Sequence, residues 1–126
     1  MPQTRILAFC DKKGRTVIAD WLDTLEAEEP DAYAKCLQRV LHLESMGYEL
    51  RRPQADSLRD GIHELRCRNR NVHYRILYFF SGQNVAVLSH GLTKEDKVPD
   101  GEIDKAVKHK ELVDSDLEKY TTDEWT

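Results

Sequence analysis

No stretch of this sequence approaches the roughly 20 consecutive apolar residues that a helix needs to span a bilayer, so no membrane-spanning segment is expected. The chain opens with one Arg and a short apolar run before Asp11, which is not the pattern of a signal peptide. Cysteine is scarce. Cys10, Cys36 and Cys67 are three in number, far apart and set among apolar neighbours. That count and spacing offer no metal motif, and they read as buried free thiols in a reducing, cytoplasmic compartment. An internal repeat, a low-complexity tract, a P-loop and a nucleotide-binding glycine motif are also missing. No cofactor is expected.

What remains is an ordinary globular composition: 126 residues, 40% apolar and 33% charged, enough for one domain with one modest core. Residues 1–112 read as that domain, and residues 113–126 as an acidic tail, disordered over 121–126. Charge is unevenly placed along the chain. The net value is −4, yet residues 111–126 hold one Lys against six acids, while residues 51–75 hold seven Arg against Asp56, Asp60 and Glu64. A local basic field steers an anion more than the total charge does.

Taken in order, residues 5–10 (RILAFC) form a short apolar strand. Ile18, Trp21, Leu22 and Leu25 fall at helical spacing over residues 17–25. Pro30 opens a second helix with Tyr33, Cys36, Leu37, Val40, Leu41 and Leu43 as its apolar stripe, and Gly47 is its stop. His42, inside that helix, reads as satisfied or solvent-facing. Residues 48–58 read as an irregular connector carrying Arg51 and Arg52. Residues 62–69, 72–81 and 84–91 alternate as three antiparallel strands. Pro99 starts a last helix with Ile103, Ala106 and Val107 inward, covering the sheet or packing beside it. The expected fold class is α+β: an antiparallel or mixed sheet, an N-terminal helical hairpin and a C-terminal helix.

Turn chemistry sets an expected register. A two-residue turn at Arg70-Asn71 places Leu65 opposite Ile76, Cys67 opposite Tyr74, and Arg66 opposite Arg75. A two-residue turn at Gly82-Gln83 places Phe80 opposite Val85, Tyr78 opposite Val87, and Arg75 opposite His90. One sheet face then collects Leu65, Cys67, Tyr74, Ile76, Tyr78, Phe80, Val85 and Val87 as core. The other has an apolar end (Leu77, Phe79, Ala86, Leu88) and a cationic end (Arg66, Arg68, His73, Arg75, His90). Like charges directly opposite each other are destabilising unless an anion lies between them. Either the cationic end receives a phosphate backbone, flanked by Arg51 and Arg52, or it is a solvated basic surface.

The local wording carries a resemblance. Leu58-Arg59-Asp60-Gly61-Ile62-His63-Glu64-Leu65-Arg66 resembles the L-x-D-G-I-x-E-L-R run of phage-derived, HigB-like toxins of the RelE/ParE superfamily. Tyr74-Arg75-Ile76-Leu77-Tyr78-Phe79 is similar to their Y-R-V-L-Y-F strand. His90-Gly91-Leu92-Thr93-Lys94, followed by Lys97-Val98-Pro99, is similar to their H-G-F-x-K-K … K-T-P ending, with Leu92 for Phe and Glu95 for the second Lys. The resemblance implies a type II toxin that cleaves messenger RNA on the translating ribosome and is neutralised by a helix-turn-helix antitoxin, HigA-like. By position, Arg66, Arg75 and Lys94 match the motif's basic residues.

Metal-free RNA cleavage needs a base for the 2′-hydroxyl proton, cations for the charge that builds on phosphorus, and an acid for the leaving 5′-oxygen. The expected catalytic set is Arg66, Arg75, His90 and Lys94, with His73 as an alternative to His90. Arg51, Arg52, Arg68, His73 and Lys97 are expected to bind RNA. Each has a plain structural alternative. Arg66 and Arg75 pair with Glu64 or with acids of the last helix, His90 is a satisfied strand histidine, and Lys94 and Lys97 are solvated. Two other functions stay open: a ParE-like inhibitor of DNA gyrase that cuts nothing, and an inactive relic that only binds its antitoxin.

Overall fold

The computed structural model describes residues 3–93 and 97–125. Its elements run β1 (Arg5–Phe9), α1 (Val17–Glu28), α2 (Pro30–Met46), β2 (Ala55–Ser57), β3 (Ile62–Asn69), β4 (Val72–Phe80), β5 (Val85–Thr93), α3 (Asp100–Ser115), α4 (Leu117–Tyr120) and β6 (Thr121–Thr122). The strands make one six-stranded sheet in the order β2-β3-β4-β5-β1-β6. Pairing is antiparallel throughout except between β1 and β5. The fold is therefore α+β, as expected. Among the described residues, no helix is long and apolar enough to cross a membrane.

The helices cover both sheet faces. α1 buries Ile18, Leu22 and Leu25, and α2 buries Ala32, Cys36, Val40 and Leu43. Both stripes follow the three-to-four-residue spacing of one helix face. They pack with Ile6, Ala8, Leu65, Ile76, Tyr78 and Leu88. α3 sets Ile103, Ala106 and Val113 against Leu7, Phe9, Ile62, Leu77, Phe79 and Val87 on the other side. β1 is apolar at successive positions because its alternate residues feed both cores. α2 stops at Gly47, whose φ of +56° suits glycine. A Cβ there would also run into the Thr4 hydroxyl. Gly91 has a different reason to be glycine: the Trp21 indole from α1 occupies the space of its missing side chain.

The β3–β4 register is the expected one, with Leu65 opposite Ile76, Cys67 opposite Tyr74 and Arg66 opposite Arg75. The β4–β5 register is not. The Ser81 amide donates to the Val85 carbonyl (2.9 Å), so Gly82, Gln83 and Asn84 all lie in the turn, and Phe80 pairs with Ala86. Tyr78 pairs with Leu88 and Leu77 with His90, leaving Ser89 as a bulge. Arg75 consequently faces Leu92 rather than His90. The slip moves Ala86 and Leu88 to the helical-hairpin face and Val85 and Val87 to the α3 face. Hydrophobicity cannot discriminate these registers, since Val85-Ala86-Val87-Leu88 is apolar at both parities.

Two further expectations are corrected. The 48–58 connector contains β2, which pairs Ala55 with Leu65 and Ser57 with His63. The end of the chain is folded back over the described residues: β6 pairs with β1, and Trp125 packs against the hairpin-side core. Strand edges present unpaired backbone groups, and β6 supplies partners for the edge of β1.

Candidate functional site

Arg66 and Arg75 do lie directly opposite each other, and the anion between them belongs to the protein. Glu64, two residues before Arg66 on the same face of β3, is fully buried. Arg66 Nε donates to Glu64 Oε1 at 2.5 Å, and an Arg75 terminal nitrogen donates to both Glu64 oxygens at 3.0 Å. Asp56 of β2 continues the network, accepting from Arg66 at 3.2 Å and from Arg52 at 2.7 Å. Arg52, Asp56, Arg66, Glu64 and Arg75 thus alternate in sign across three strands. The hydrogen bond from Arg52 holds the Asp56 carboxyl below its usual range, with the Ser57 amide and Arg66 adding to the effect. Arg75 is the inner member, its side chain 11% exposed, whereas the Arg66 side chain is 37% exposed.

Beyond this network the sheet edge opens. β2 covers β3 only as far as Leu65. Past that point Gln54 accepts from the Arg66 amide (2.7 Å), and Arg39 of α2 donates through Nε to the Arg66 carbonyl (2.8 Å). A cleft of about 350 Å³ lies there, lined by Arg39, Pro53, Gln54, Arg66, Cys67, Arg68 and His73. Among the described residues, its charged lining is Arg39, Arg66 and Arg68, with His73 beside them. Arg68 bonds back to its own turn, to the Arg70 carbonyl (3.1 Å) and to Asn71 (3.0 Å). His73, opposite Arg68, is exposed.

The structure brings Arg66, Arg68 and His73 together in this cleft and places Arg75 behind it. Arg51 and Arg52 are exposed and line a neighbouring cleft of about 360 Å³ with Tyr48, Asp56, His63 and Tyr78. His63 stacks on Tyr78 there, and burial pushes its pKa down. Lys97 is exposed on the approach to α3. Lys94 lies outside the described residues.

His90 does not join the arginines. It faces α3 at 2% exposure, with Nδ1 2.9 Å from Ser89 Oγ. His109 of α3 reaches the same hydroxyl at 2.7 Å and stacks on Phe9 with ring centroids 3.8 Å apart. A serine carries one proton, so at neutral pH one ring Nδ1 accepts from Ser89 and the other donates to it. His90 Nε2 lies 3.3 Å from Glu102 Oε1 without forming a hydrogen bond. Burial, reinforced by Lys105, lowers the His90 pKa to about 4. The His109 pKa also falls to about 4, through burial first and then the charges of His90 and Lys105. His90, expected in proton transfer beside the arginines, lies instead between sheet and helix, away from the cleft.

Glu64 was within reach of the sequence reading as a partner of the two arginines, since it shares its parity with Arg66; Arg39, Ser89 and His109 escaped it. Arg39 carries no local signal, because only the docking of α2 brings it to Arg66. Ser89 and His109 meet through the bulge, which sequence periodicity does not register.

Comparison with protein families adds one finding. Residues 20–111 match the model of the phage-derived Gp49-like proteins (DUF891). The match covers well over half of the chain, from α1 into α3, and the chain belongs to that family. It is a toxin-like family related to the RelE/HigB-type toxins. A search of curated proteins finds none that matches.

Proposed function

We propose that this protein is the toxin of a type II toxin-antitoxin pair and that it cuts RNA without a metal. The observation that carries this reading is the cleft at the open edge of β3, where Arg39, Arg66 and Arg68 converge with His73. Arginine forks match phosphate oxygens in charge and in geometry. Such a cleft holds one phosphodiester of a single strand. Arg66, held by Glu64 and Asp56, opposes the charge that builds on phosphorus as the 2′-oxygen attacks. Exposed His73 is the imidazole that lines the cleft, and it is placed to take a proton from an RNA bound there. It removes the 2′-hydroxyl proton; the 2′-oxygen bonds to phosphorus as the P–O5′ bond breaks, and the imidazolium returns the proton to the departing 5′-oxygen, leaving a 2′,3′-cyclic phosphate and a free 5′-hydroxyl. Arg75 acts through Glu64, as a positioning residue. Family kinship supports messenger RNA on the ribosome as the substrate, and a helix-turn-helix antitoxin as the partner that silences the cleft.

The test is mapping of new 5′ ends in cellular RNA after brief induction, with Arg68→Ala and His73→Ala alongside the wild type. Both side chains are exposed, so neither change disturbs the core. Cuts in phase with the reading frame, absent from both variants, are the expected result. Growth arrest without cuts would replace this reading with a gyrase-directed inhibitor. Unchanged cutting by both variants would move the active site elsewhere.

A further inference from the structure

Two of the three cysteines meet. Cys36 of α2 and Cys67 of β3, 31 positions apart in sequence, place their sulfurs 3.0 Å from each other while both remain free thiols. A disulfide requires about 2.05 Å, so the pair closes with a movement of about 1 Å. The two sulfurs differ in setting. Both belong to the hairpin-side core, but Cys67, at 6% exposure, also lines the basic cleft, whereas Cys36, at 1%, does not. Lys35 and Arg39 flank the pair, anchored on Asn69 (2.9 Å) and on the Arg66 carbonyl (2.8 Å).

We propose that Cys36 and Cys67 form a redox-responsive dithiol, in which a hydroperoxide entering the cleft ties α2 to β3 through a disulfide. Cys67 attacks first. Its thiolate displaces water from hydrogen peroxide, with one proton taken up, and becomes a sulfenic acid. The Cys36 sulfur then attacks the Cys67 sulfur, its proton leaves with the departing hydroxyl as a second water, and the S–S bond forms. Peroxide is reduced by the two electrons that the thiols lose. The division of roles also follows from acidity. The hydrogen bond between the two sulfurs splits their acidity: it pulls Cys67 below the usual thiol range, helped by Arg39 and Lys35, and, with burial, pushes Cys36 above it. Cys10 is a built-in control. It is as buried as Cys67, at 7% against 6% exposure, but its thiol sits on the Lys119 carbonyl (3.6 Å) rather than on a second cysteine, and it is pushed up by burial and by Asp11. The proposal does not depend on what the cleft binds.

The experiment exposes the purified full chain to equimolar hydrogen peroxide. Samples are quenched in acid, unfolded and alkylated with N-ethylmaleimide, and intact and peptide masses are read. The expected result is loss of two of the three labels with a mass deficit of two hydrogens, a Cys36–Cys67 linked peptide, and recovery with dithiothreitol. Cys10 should keep its label, reacting roughly tenfold more slowly or worse. Three retained labels, a link between two chains, or oxidation of Cys10 at the same rate would overturn the proposal. Cys36→Ser sharpens the order of events: Cys67 then stops at the sulfenic acid and takes up dimedone. A dimedone adduct on Cys10 instead would count against Cys67 as the attacking thiol. The wild-type mapping stands whether or not that variant folds.

Discussion

The α3-facing side of the sheet buries basic side chains in two places and by opposite means. At the β2-β3-β4 end, Arg66 and Arg75 keep their charge and are matched by Glu64 and Asp56. On β5 and α3, His90 and His109 are packed with Ser89 and stay neutral, their pKa values near 4. The difference follows from the side chains. Arginine cannot shed its proton in a protein, so burying it demands a carboxylate. Histidine sheds its proton readily and is then satisfied by a hydroxyl. The same sheet face thus has one region fixed by ion pairing, with an accessible edge, and another fixed by deprotonation and closed to solvent.

The comparison breaks most visibly at Glu64. Glu64→Gln removes the buried carboxylate that both arginines share. Breaking a buried pair in this way costs about 3–5 kcal/mol. Urea unfolding followed by circular dichroism should show that loss. A drop below about 1 kcal/mol would mean that the network contributes little to the fold. Arg66→Met should cost much less, because the Arg66 side chain is 37% exposed and Glu64 keeps Arg75.

Acid sharpens the other half. Both histidines have folded pKa values below their ordinary 6.5, so the unfolded chain binds their protons more readily. Their contribution to stability is complete above pH 6.5 and is lost as pH falls from there towards about 4. Glu102 faces His90 and Lys105 lies near both rings, but neither reverses that direction. His109→Phe keeps a ring against Phe9 and removes one titrating group. Between pH 7 and 5 the wild type should lose about 1–2 kcal/mol more than this variant. Parallel losses would mean that His109 is protonated in the folded state.

Much of this contrast was legible in the sequence at one end and little at the other. The β3–β4 hairpin alternates cleanly, and its turn at Arg70-Asn71, with Arg70 at φ +59°, fixes the register that sets Arg66 opposite Arg75. The like-charge argument even required an anion there, and Glu64 was available on the same face. β5 gave no such grip. It is buried on both sides, so its apolar residues fit either parity, and the bulge at Ser89 moved His90 away from Arg75. Arg39 and the Cys36–Cys67 contact depend on how α2 docks onto β3. Residue spacing along the chain carries no record of that docking.

The smallest effect separates folding from function. Asp56 is the outer carboxylate, its side chain 21% exposed and its partner Arg52 73% exposed. Solvent screens such pairs, so Asp56→Asn should cost less than about 1 kcal/mol. The same change removes a negative charge 3.2 Å from Arg66, which lines the basic cleft. If the cleft binds phosphate, a fluorescent RNA oligonucleotide should bind the variant roughly threefold to tenfold more tightly, and its affinity should fall more steeply with salt. Glu64 would then serve the fold, and Asp56 would restrain the ligand. Unchanged affinity, with stability also unchanged, would show that Arg66 does not meet the RNA, and it would leave Arg39, Arg68 and His73 as the surface to examine.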